Sequence, residues 1–166
     1  MNPRPLPQLA MRPMLPTDVP LLAEIFRAAI EELTADDYSE AQQEAWAAVA
    51  DDEEFGRRLA ADLTLIATLQ DSPVGFASLR GKDHIRMLYV HPSLAGQGVA
   101  SMLVDALEKL AGSRGAKSLS VDASDTALDF FKKRGYVAKQ RNSVTVNGEW
   151  LANTTMQKVL ANGGQA

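Results

Sequence analysis

The sequence predicts an α/β fold with one central mixed, mostly antiparallel sheet and helices on both of its faces. Strand-like runs at 63–70, 73–80 and 84–90 are joined by short turn signals, which is typical of an antiparallel meander. A strongly amphipathic helical run, 98–115, follows them directly. The Asn147–Gly148 pair between two later apolar runs is a favoured tight turn and predicts a closing hairpin.

The first sixty or so residues predict a strand and two helices. We expect the strand at 9–15 and the first helix at 18–33, where apolar residues recur at helical spacing. A second helix is expected at 39–50, because its first residues match a capping box. The acidic run 51–62 is expected to be irregular, with about one helical turn.

The second half predicts two more helices and three more strands. The helix at 98–115 carries an apolar stripe and is followed by a strand at 117–124 and a helix at 125–135. The hairpin strands are expected at 136–146 and 150–160, and the tail 161–166 is expected to be loose. The predicted order is therefore β-α-α-β-β-β-α-β-α-β-β. With no repeat or linker in 166 residues, we expect a single domain, 1–166.

Composition excludes several classes of protein. The net charge is −4 with no long basic run, which disfavours a nucleic-acid partner. Cysteine is absent and there are only two histidines, so we expect no disulfide, no cysteine nucleophile and no metal site. No apolar run reaches roughly 18 residues, so no membrane span is expected. The first 16 residues lack an apolar signal-peptide core, and we expect a cytoplasmic protein.

A glycine turn links the strand at 84–90 to the long helix. Gly96 and Gly98 precede the helix, and free amides at a helix N-terminus form an anion site that phosphate commonly fills. The Walker motif is absent, because no Lys-Ser/Thr pair directly follows the glycines. The dinucleotide fingerprint matches in part, with Ser101 in the third glycine position and Asp122 placed like the ribose-binding acid. A dinucleotide fold needs parallel βαβ units, and the antiparallel meander argues against one.

The stretch "HIRMLYVHPSLAGQGVASMLVDALEKLA" resembles the central acetyl-CoA motif of the GNAT superfamily of acyl-CoA-dependent N-acyltransferases. The run "LSVDASDTALDFFKKRGYV" is similar to the strand and helix that follow in that family. "DYSEAQQEAW", "RNSVTVNGEWLANTTMQKVL" and the Asp-Ala-Ser triplet resemble its bacterial YafP-like branch. The resemblance covers nearly the whole chain. It implies the GNAT fold and transfer of acetyl from acetyl-CoA to a primary amine.

The resemblance also implies which residues bind the cofactor. In this family the pantetheine arm lies along the central strand, and backbone groups of Leu88, Tyr89 and Val90 would hold it. The pyrophosphate would lie on the turn, where Ala95 replaces the Gln or Arg of the signature. The turn residues concerned are Ala95, Gly96, Gln97, Gly98, Val99, Ala100 and Ser101. Their amides can still bind phosphate, and Gln97 or the Ser101 hydroxyl can compensate for the missing side chain.

The helix after the second motif departs from the family at two positions. Ser124 occupies the place of a pantetheine-binding Asn, although a serine there also simply caps a helix. Phe131 occupies the place of a Tyr that often protonates the leaving thiolate, a role that water or Tyr38 would then have to fill. Phe130 would also contact the cofactor, and Lys133 would reach the 3′-phosphate of coenzyme A or belong to a solvated helix face.

Acceptor contacts are expected from the first two helices and the final hairpin. The candidates are Tyr38, Trp46, Asn142 and Asn153, each of which also has an ordinary structural explanation as a core or sheet residue. The expected partner is a small amine, with no nucleic acid and no membrane. The chemical identity of the amine, whether metabolite, antibiotic, peptide N-terminus or protein lysine, stays open, as does a homodimer.

The expected reaction is direct attack of the amine on the thioester, since no cysteine is present to carry the acyl group. His84 is the first candidate for the general base, because imidazole has a pKa of about 6.5. Strand parity would place His84 on the same side as Leu88 and Val90, and Asp122 is the alternative base. Two other functions stay open: a non-catalytic acyl-CoA-binding protein on the same fold, and a dinucleotide-binding module.

Overall fold

The computed structural model describes residues 9–160. The helices and strands are β1 (Leu9–Pro13), α1 (Val19–Leu33), α2 (Glu40–Ala47), α3 (Glu53–Ala61), β2 (Leu63–Leu69), β3 (Ser72–Arg80), β4 (His84–Val90), α4 (Val99–Ser113), β5 (Ser118–Ser124), α5 (Leu128–Lys133), β6 (Val137–Val146) and β7 (Glu149–Val159). The predicted order is present, with α3 added to it. The tail expected to be loose, 161–166, lies outside the described residues, as do the first eight of the residues considered for a signal peptide.

The seven strands form one sheet in the order β1-β2-β3-β4-β5-β7-β6. Every neighbouring pair is antiparallel except β4 and β5, which run parallel. This confirms the predicted mixed, mostly antiparallel sheet. The parallel pair arises because α4 forms the crossover between these two strands.

Strands β4 and β5 pair only at one end. His84 pairs with Ser120 and Ile85 pairs with Val121, and the ladder between the two strands then stops. Each strand continues to pair on its other side, β4 with β3 as far as Val90 and β5 with β7 as far as Ser124. The two strands therefore separate toward their carboxyl ends and leave an opening in the middle of the sheet.

Two apolar clusters cover the two faces of the sheet, which we call the α4 side and the α1 side. The α4-side cluster includes Ile85, Val99, Leu103, Leu107, Leu119, Val121 and Phe131. The α1-side cluster includes Leu22, Phe26, Ile30, Phe55, Phe76 and Met87. Helices therefore lie on both faces, as predicted.

A β-bulge in β4 changes which side its residues face. Ser78 pairs with Met87 and Leu79 with Ile85, so Arg86 has no partner on β3. Ile85 consequently belongs to the α4-side cluster and Met87 to the α1-side cluster, although they are two residues apart.

The bulge makes one expectation wrong, namely that His84 shares a side with Leu88 and Val90. Leu88 and Val90 pack against the α4-side cluster. His84 instead contacts Ser120, which alternates along β5 with the α4-side residues Leu119 and Val121 and so faces the α1 side. Simple alternation holds only in a strand without a bulge.

Helix α3 replaces the irregular segment expected at 51–62. The Asp52 side chain caps it by accepting a hydrogen bond from the Glu54 amide at 3.0 Å. Phe55 and Leu59, one helical turn apart, are its buried residues. Because only these two apolar residues stand among charged ones, the helical spacing of apolar residues in the sequence was too weak to recognise. The helix expected at 125–135 is shorter, Leu128–Lys133, because the chain first makes a turn at 125–127.

Candidate active site

A cavity of about 270 Å³ lies where β4 and β5 separate. Its lining includes Ile30 and Trp46 from the α1 side and Phe131 from the α4 side. Because both apolar clusters contribute, the cavity passes through the sheet. We call its two parts the α1-side half and the α4-side half.

Nine of the predicted site residues line this cavity: Tyr38, Trp46, Leu88, Tyr89, Val90, Asp122, Ser124, Phe131 and Asn153. The others lie outside the lining, namely His84, the turn residues 95–101, Phe130, Lys133 and Asn142. Sequence reasoning missed Arg86, Leu33, Val144, Val146 and Leu151, which also line it. The alternation of Val144, Val146 and Leu151 with polar residues was the signal available for the hairpin.

The glycine turn before α4 is an open helix N-terminus. Gly96 and Gly98 have φ angles of 76° and 86°, a conformation that favours glycine. A Cβ at either position would have no heavy atom within 4 Å, apart from the glycine itself and its chain neighbours, in the part of the chain that the structure describes. Within the same residues no side chain caps the helix. The first-turn amides of this 15-residue helix therefore face outward, as an anion site requires.

The start of α5 lies on the other edge of the opening. The Ser124 hydroxyl accepts a hydrogen bond from the Ala127 amide at 3.1 Å and so closes the turn before the helix. Phe131 is buried against Tyr136, with ring centroids 5.1 Å apart. Its hydrocarbon ring has no proton to donate to a leaving group. Lys133 is exposed, and the guanidinium of Arg134 lies over the ring of Phe130.

Tyr38 joins three segments at the edge of the cavity. Its hydroxyl donates to the Ala152 carbonyl at 2.6 Å and accepts from the Asp125 amide at 2.9 Å. Burial raises the pKa of this phenol. The hydroxyl proton is therefore held by a backbone carbonyl, which argues against Tyr38 as the acid that replaces the missing tyrosine.

Trp46 and Tyr89 form an aromatic wall of the α1-side half. The indole Nε1–H donates to the Tyr89 hydroxyl at 3.3 Å, and the Tyr38 ring lies 5.2 Å from the Trp46 ring. Burial raises the pKa of Tyr89 far above its usual range, so this phenol stays protonated. The wall offers aromatic surface and neutral hydroxyl groups to whatever enters from this side.

His84 and Asp122 form a pair next to the cavity. The Ser120 hydroxyl lies 2.7 Å from His84 Nδ1 and 3.2 Å from the Asp83 carbonyl, so its one proton can be donated to either. When the carbonyl receives it, Nδ1 carries the imidazole proton and Nε2 is free to accept one. Nε2 faces Asp122 Oδ2 at 3.9 Å. Burial lowers the pKa of His84, with Arg80 acting in the same direction and Asp122 against it. The imidazole is therefore neutral near neutral pH and able to accept a proton.

A chain of hydrogen bonds holds Asp122 and Asn153 in place. Thr155 donates to Asp122 Oδ1 at 2.6 Å, and Asn142 donates to Thr155 at 2.8 Å. The Asn142 amide also donates to Asn153 Oδ1 at 2.9 Å. Asn142 thus acts from behind the cavity lining, and Asn153 keeps its amide N–H groups as donors.

Arg86, the bulged residue of β4, is held by a carboxylate from the end of α3. Its Nε and one terminal nitrogen donate to the two oxygens of Asp62 at 2.7 and 3.2 Å. The Asp62 side chain is only 3% exposed. This two-bonded geometry fixes the guanidinium at the cavity wall.

Comparison with known proteins agrees with this architecture. Residues 34–160 match the family model described as an acetyltransferase (GNAT) domain. The chain is 34% identical to the uncharacterized N-acetyltransferase YafP of Escherichia coli K12 over 149 residues, which is 90% of this chain and 95% of YafP. It is 33% identical to the peptidyl-lysine N-acetyltransferase YjaB of Salmonella typhimurium over 124 residues, covering 74% of this chain and 69% of YjaB.

A solved structure is also similar. The crystal structure of a GCN5-related N-acetyltransferase from Rhodopseudomonas palustris superposes with a TM-score of 0.91 at 65% identity, covering 96% of this chain and all of the other. The fold is that of an acyl-CoA-dependent acyltransferase. The chain belongs to the GNAT acetyltransferase family. The predicted family, its YafP-like branch, the enzyme class and acetyl-CoA as acyl donor are thereby confirmed.

Two further features concern the described residues only. Across residues 9–160 no helix combines the length and apolar character needed to cross a bilayer. The same residues contain no group of three or more potential metal ligands.

Proposed function

We propose that the protein moves acetyl from acetyl-CoA directly to a primary amine held in the α1-side half of the cavity. The supporting observation is that the cavity passes through the sheet, so the thioester and the amine can approach from opposite faces. Direct transfer is supported by the absence of cysteine, which removes the usual thiol carrier for the acetyl group.

The cofactor would use the separated strands and the glycine turn. An amide-bearing pantetheine arm can pair with the edge of β4 at Leu88–Val90, beyond the last ladder pair with β5. The pyrophosphate would then lie on the amides of residues 96–101. Ser124 and Phe131 face the same region from the cavity lining, while Phe130 and Lys133 would act nearer its outer edge.

The chemistry needs one base and a leaving group that departs without help from Phe131. The ammonium gives a proton to the His84–Asp122 pair, directly or through one water. The neutral nitrogen attacks the carbonyl carbon and the C–S bond breaks. The nitrogen then loses its second proton, which reaches the coenzyme A thiolate through water, so the products are the amide and the free thiol. Binding both reactants in one cavity supplies proximity, and backbone amides can polarise the thioester carbonyl.

We further propose a small amine as the acceptor, no nucleic-acid or membrane partner, and action in the cytoplasm. The acidic balance of the chain supports the absence of nucleic acid. YjaB is named a peptidyl-lysine acetyltransferase, so a lysine side chain is the main alternative to a free amine. The residues that this mechanism uses all belong to one chain, so it requires no particular oligomeric state.

One experiment separates this proposal from its alternatives. The protein is incubated with acetyl-CoA and a panel of amines, free thiol is measured, and acetylated products are identified by mass. We expect thiol release that depends on the amine and equals the acetylated product. Binding of acetyl-CoA without any product would instead indicate an acyl-CoA-binding protein. Protection against thermal unfolding by a dinucleotide rather than by coenzyme A would indicate a dinucleotide-binding module.

A further inference from the structure

The α1-side half of the cavity has an apolar wall. Ile30 and Leu33 come from α1, Trp46 from α2, and Val144 and Leu151 from the final hairpin. Leu33 and Val144 are also among the exposed large apolar residues of the chain, so they lie at the mouth of the cavity. A group that packs against these five side chains loses water and gains no hydrogen bond from them, which favours hydrocarbon or aromatic substituents.

The described lining of the cavity contains two charged side chains, and they differ in whether a ligand can use their charge. Among the described residues of the lining, only Arg86 and Asp122 are charged. Arg86 already donates two hydrogen bonds to Asp62, whose carboxylate is almost wholly buried. Moving the guanidinium to a ligand would leave that buried carboxylate without its partner, which is strongly unfavourable. The guanidinium therefore stays paired with Asp62, and this pair offers an anionic ligand no net positive charge.

Asp122 is available to a ligand in a way that Arg86 is not. Its side chain is 48% exposed, and only its Oδ1 is taken by the Thr155 hydroxyl. Oδ2 faces His84 Nε2 at 3.9 Å. An ammonium group next to Oδ2 would thus be attracted by the carboxylate and would lie beside the nitrogen that can accept its proton.

From these three observations we infer that the acceptor is a primary amine on an uncharged alkyl or arylalkyl arm, with no carboxylate next to the amine. The inference rests on the proposed acetyl transfer and names its acceptor class. A carboxylate on the carbon bearing the amine would lie close to Asp122, and among the described lining residues no cation has a charge that is not already balanced. Alkyl and arylalkyl amines meet the apolar wall and the carboxylate at once. Free α-amino acids do not.

Matched substrate pairs test this inference on the wild-type protein. Phenethylamine is compared with phenylalanine and pentylamine with norleucine, because each pair differs only by a carboxylate. We expect kcat/KM to be at least about tenfold higher for the amine of each pair. Phenylalaninamide, which replaces the carboxylate by a neutral carboxamide of similar size, should behave like phenethylamine, since charge and not bulk is excluded.

The outcomes distinguish the inference from the function on which it rests. Equal or faster acetylation of the amino acids would overturn the inference and leave acetyl transfer intact. Acetylation of no amine in the panel, with acetyl-CoA still bound, would overturn the proposed function and the inference together. A carboxamide as poor as the carboxylate would show that size is excluded and would also contradict the inference.

A variant with a gain of activity makes the test sharper. Asp62→Asn removes the partner of Arg86 and should raise the phenylalanine-to-phenethylamine ratio of kcat/KM severalfold. The double variant Asp62→Asn with Arg86→Met is the matched control, and the gain should disappear in it.

Asp122→Asn is the second test, should Asp62→Asn not fold. Any loss of catalytic rate in this variant affects both substrates, so the phenylalanine-to-phenethylamine ratio of kcat/KM should still rise. A ratio that stays at the wild-type value in every folded variant would contradict the inference.

Discussion

The imidazole of His84 and the hydroxyl of Ser120 lie 2.7 Å apart across the one parallel strand pair of the described sheet. When the hydroxyl donates to the Asp83 carbonyl at 3.2 Å, it accepts from Nδ1 and leaves Nε2 free to take a proton. A serine on a neighbouring strand thus holds the candidate base through its Nδ1. Orientation of an imidazole through its second nitrogen is a common way to direct its reactive one.

The first prediction concerns His84. His84→Ala should lower kcat by about 10²- to 10⁴-fold and leave acetyl-CoA binding nearly unchanged. Burial lowers the pKa of His84, so the imidazole can accept a proton above that value and is protonated below it. The wild-type pH–rate profile should therefore fall on the acidic side, below about pH 6.5, and the variant should lose this limb.

Ser120→Ala is the matched control for this prediction. It keeps the imidazole but removes the hydroxyl that contacts Nδ1, so the acidic limb should remain with a smaller loss of kcat. Wild-type kcat in His84→Ala across roughly pH 6 to 9 would show that His84 is not the base. Asp122→Asn would then be the next variant to measure.

A second prediction concerns the glycine turn. Gly98→Val should weaken acetyl-CoA binding at least about tenfold, because a branched side chain there blocks close approach of the pyrophosphate to the amides. Calorimetry measures the affinity. Gly115→Val is the control, since Gly115 has a φ of 88° against 86° at Gly98 and lies beyond the other end of α4. Equal affinity of the two folded variants would mean that the turn does not bind the cofactor.

The third prediction treats Tyr38 as a structural residue. Tyr38→Phe removes two hydrogen bonds of a buried hydroxyl and should lower the free energy of unfolding by about 1–3 kcal/mol, as measured by denaturant titration. The alkaline side of the pH–rate profile should not change, because the hydroxyl proton is held by the Ala152 carbonyl. Tyr136→Phe, which loses a bond to Glu108 away from the cavity, is the control for stability alone. An altered alkaline limb in Tyr38→Phe only would assign Tyr38 a role in proton transfer.

A fourth prediction follows from charge. With a net charge of −4, the protein should show no salt-dependent binding to tRNA or to duplex DNA at micromolar concentration. Fluorescence anisotropy at low and high salt measures this. Binding that weakens steeply with salt would reveal a basic surface for which the sequence gives no indication.

Most of the sheet could be predicted because its signals are local. The three meander strands are short apolar runs between turn residues, and Asn147–Gly148 forms the expected turn between β6 and β7. Helix α3 could not be predicted in full, because its apolar stripe consists of two residues, Phe55 and Leu59. Its stability comes from packing against the α1-side cluster, which is tertiary information.

The site was only partly predictable for a different reason. The resemblance pointed to residues along the chain, but the bulge at Arg86 depends on the register between β3 and β4. That register decides that Met87 faces the α1 side and that Arg86 reaches Asp62, 24 residues earlier. The role of Ser120 likewise depends on the parallel pairing with His84, which no motif reveals.

The short ladder between β4 and β5 has a consequence for how the sheet holds together. The strands β1–β4 and the strands β5–β7–β6 share only two residue pairs in the sheet, His84 with Ser120 and Ile85 with Val121. A ligand arm that hydrogen-bonds to both free edges would act as an eighth strand and convert two half-sheets into one continuous sheet. Stability and binding would then be thermodynamically linked, with the midpoint of thermal unfolding rising as cofactor concentration rises. Bound in this way, the acyl donor would be a part of the sheet as well as a reactant.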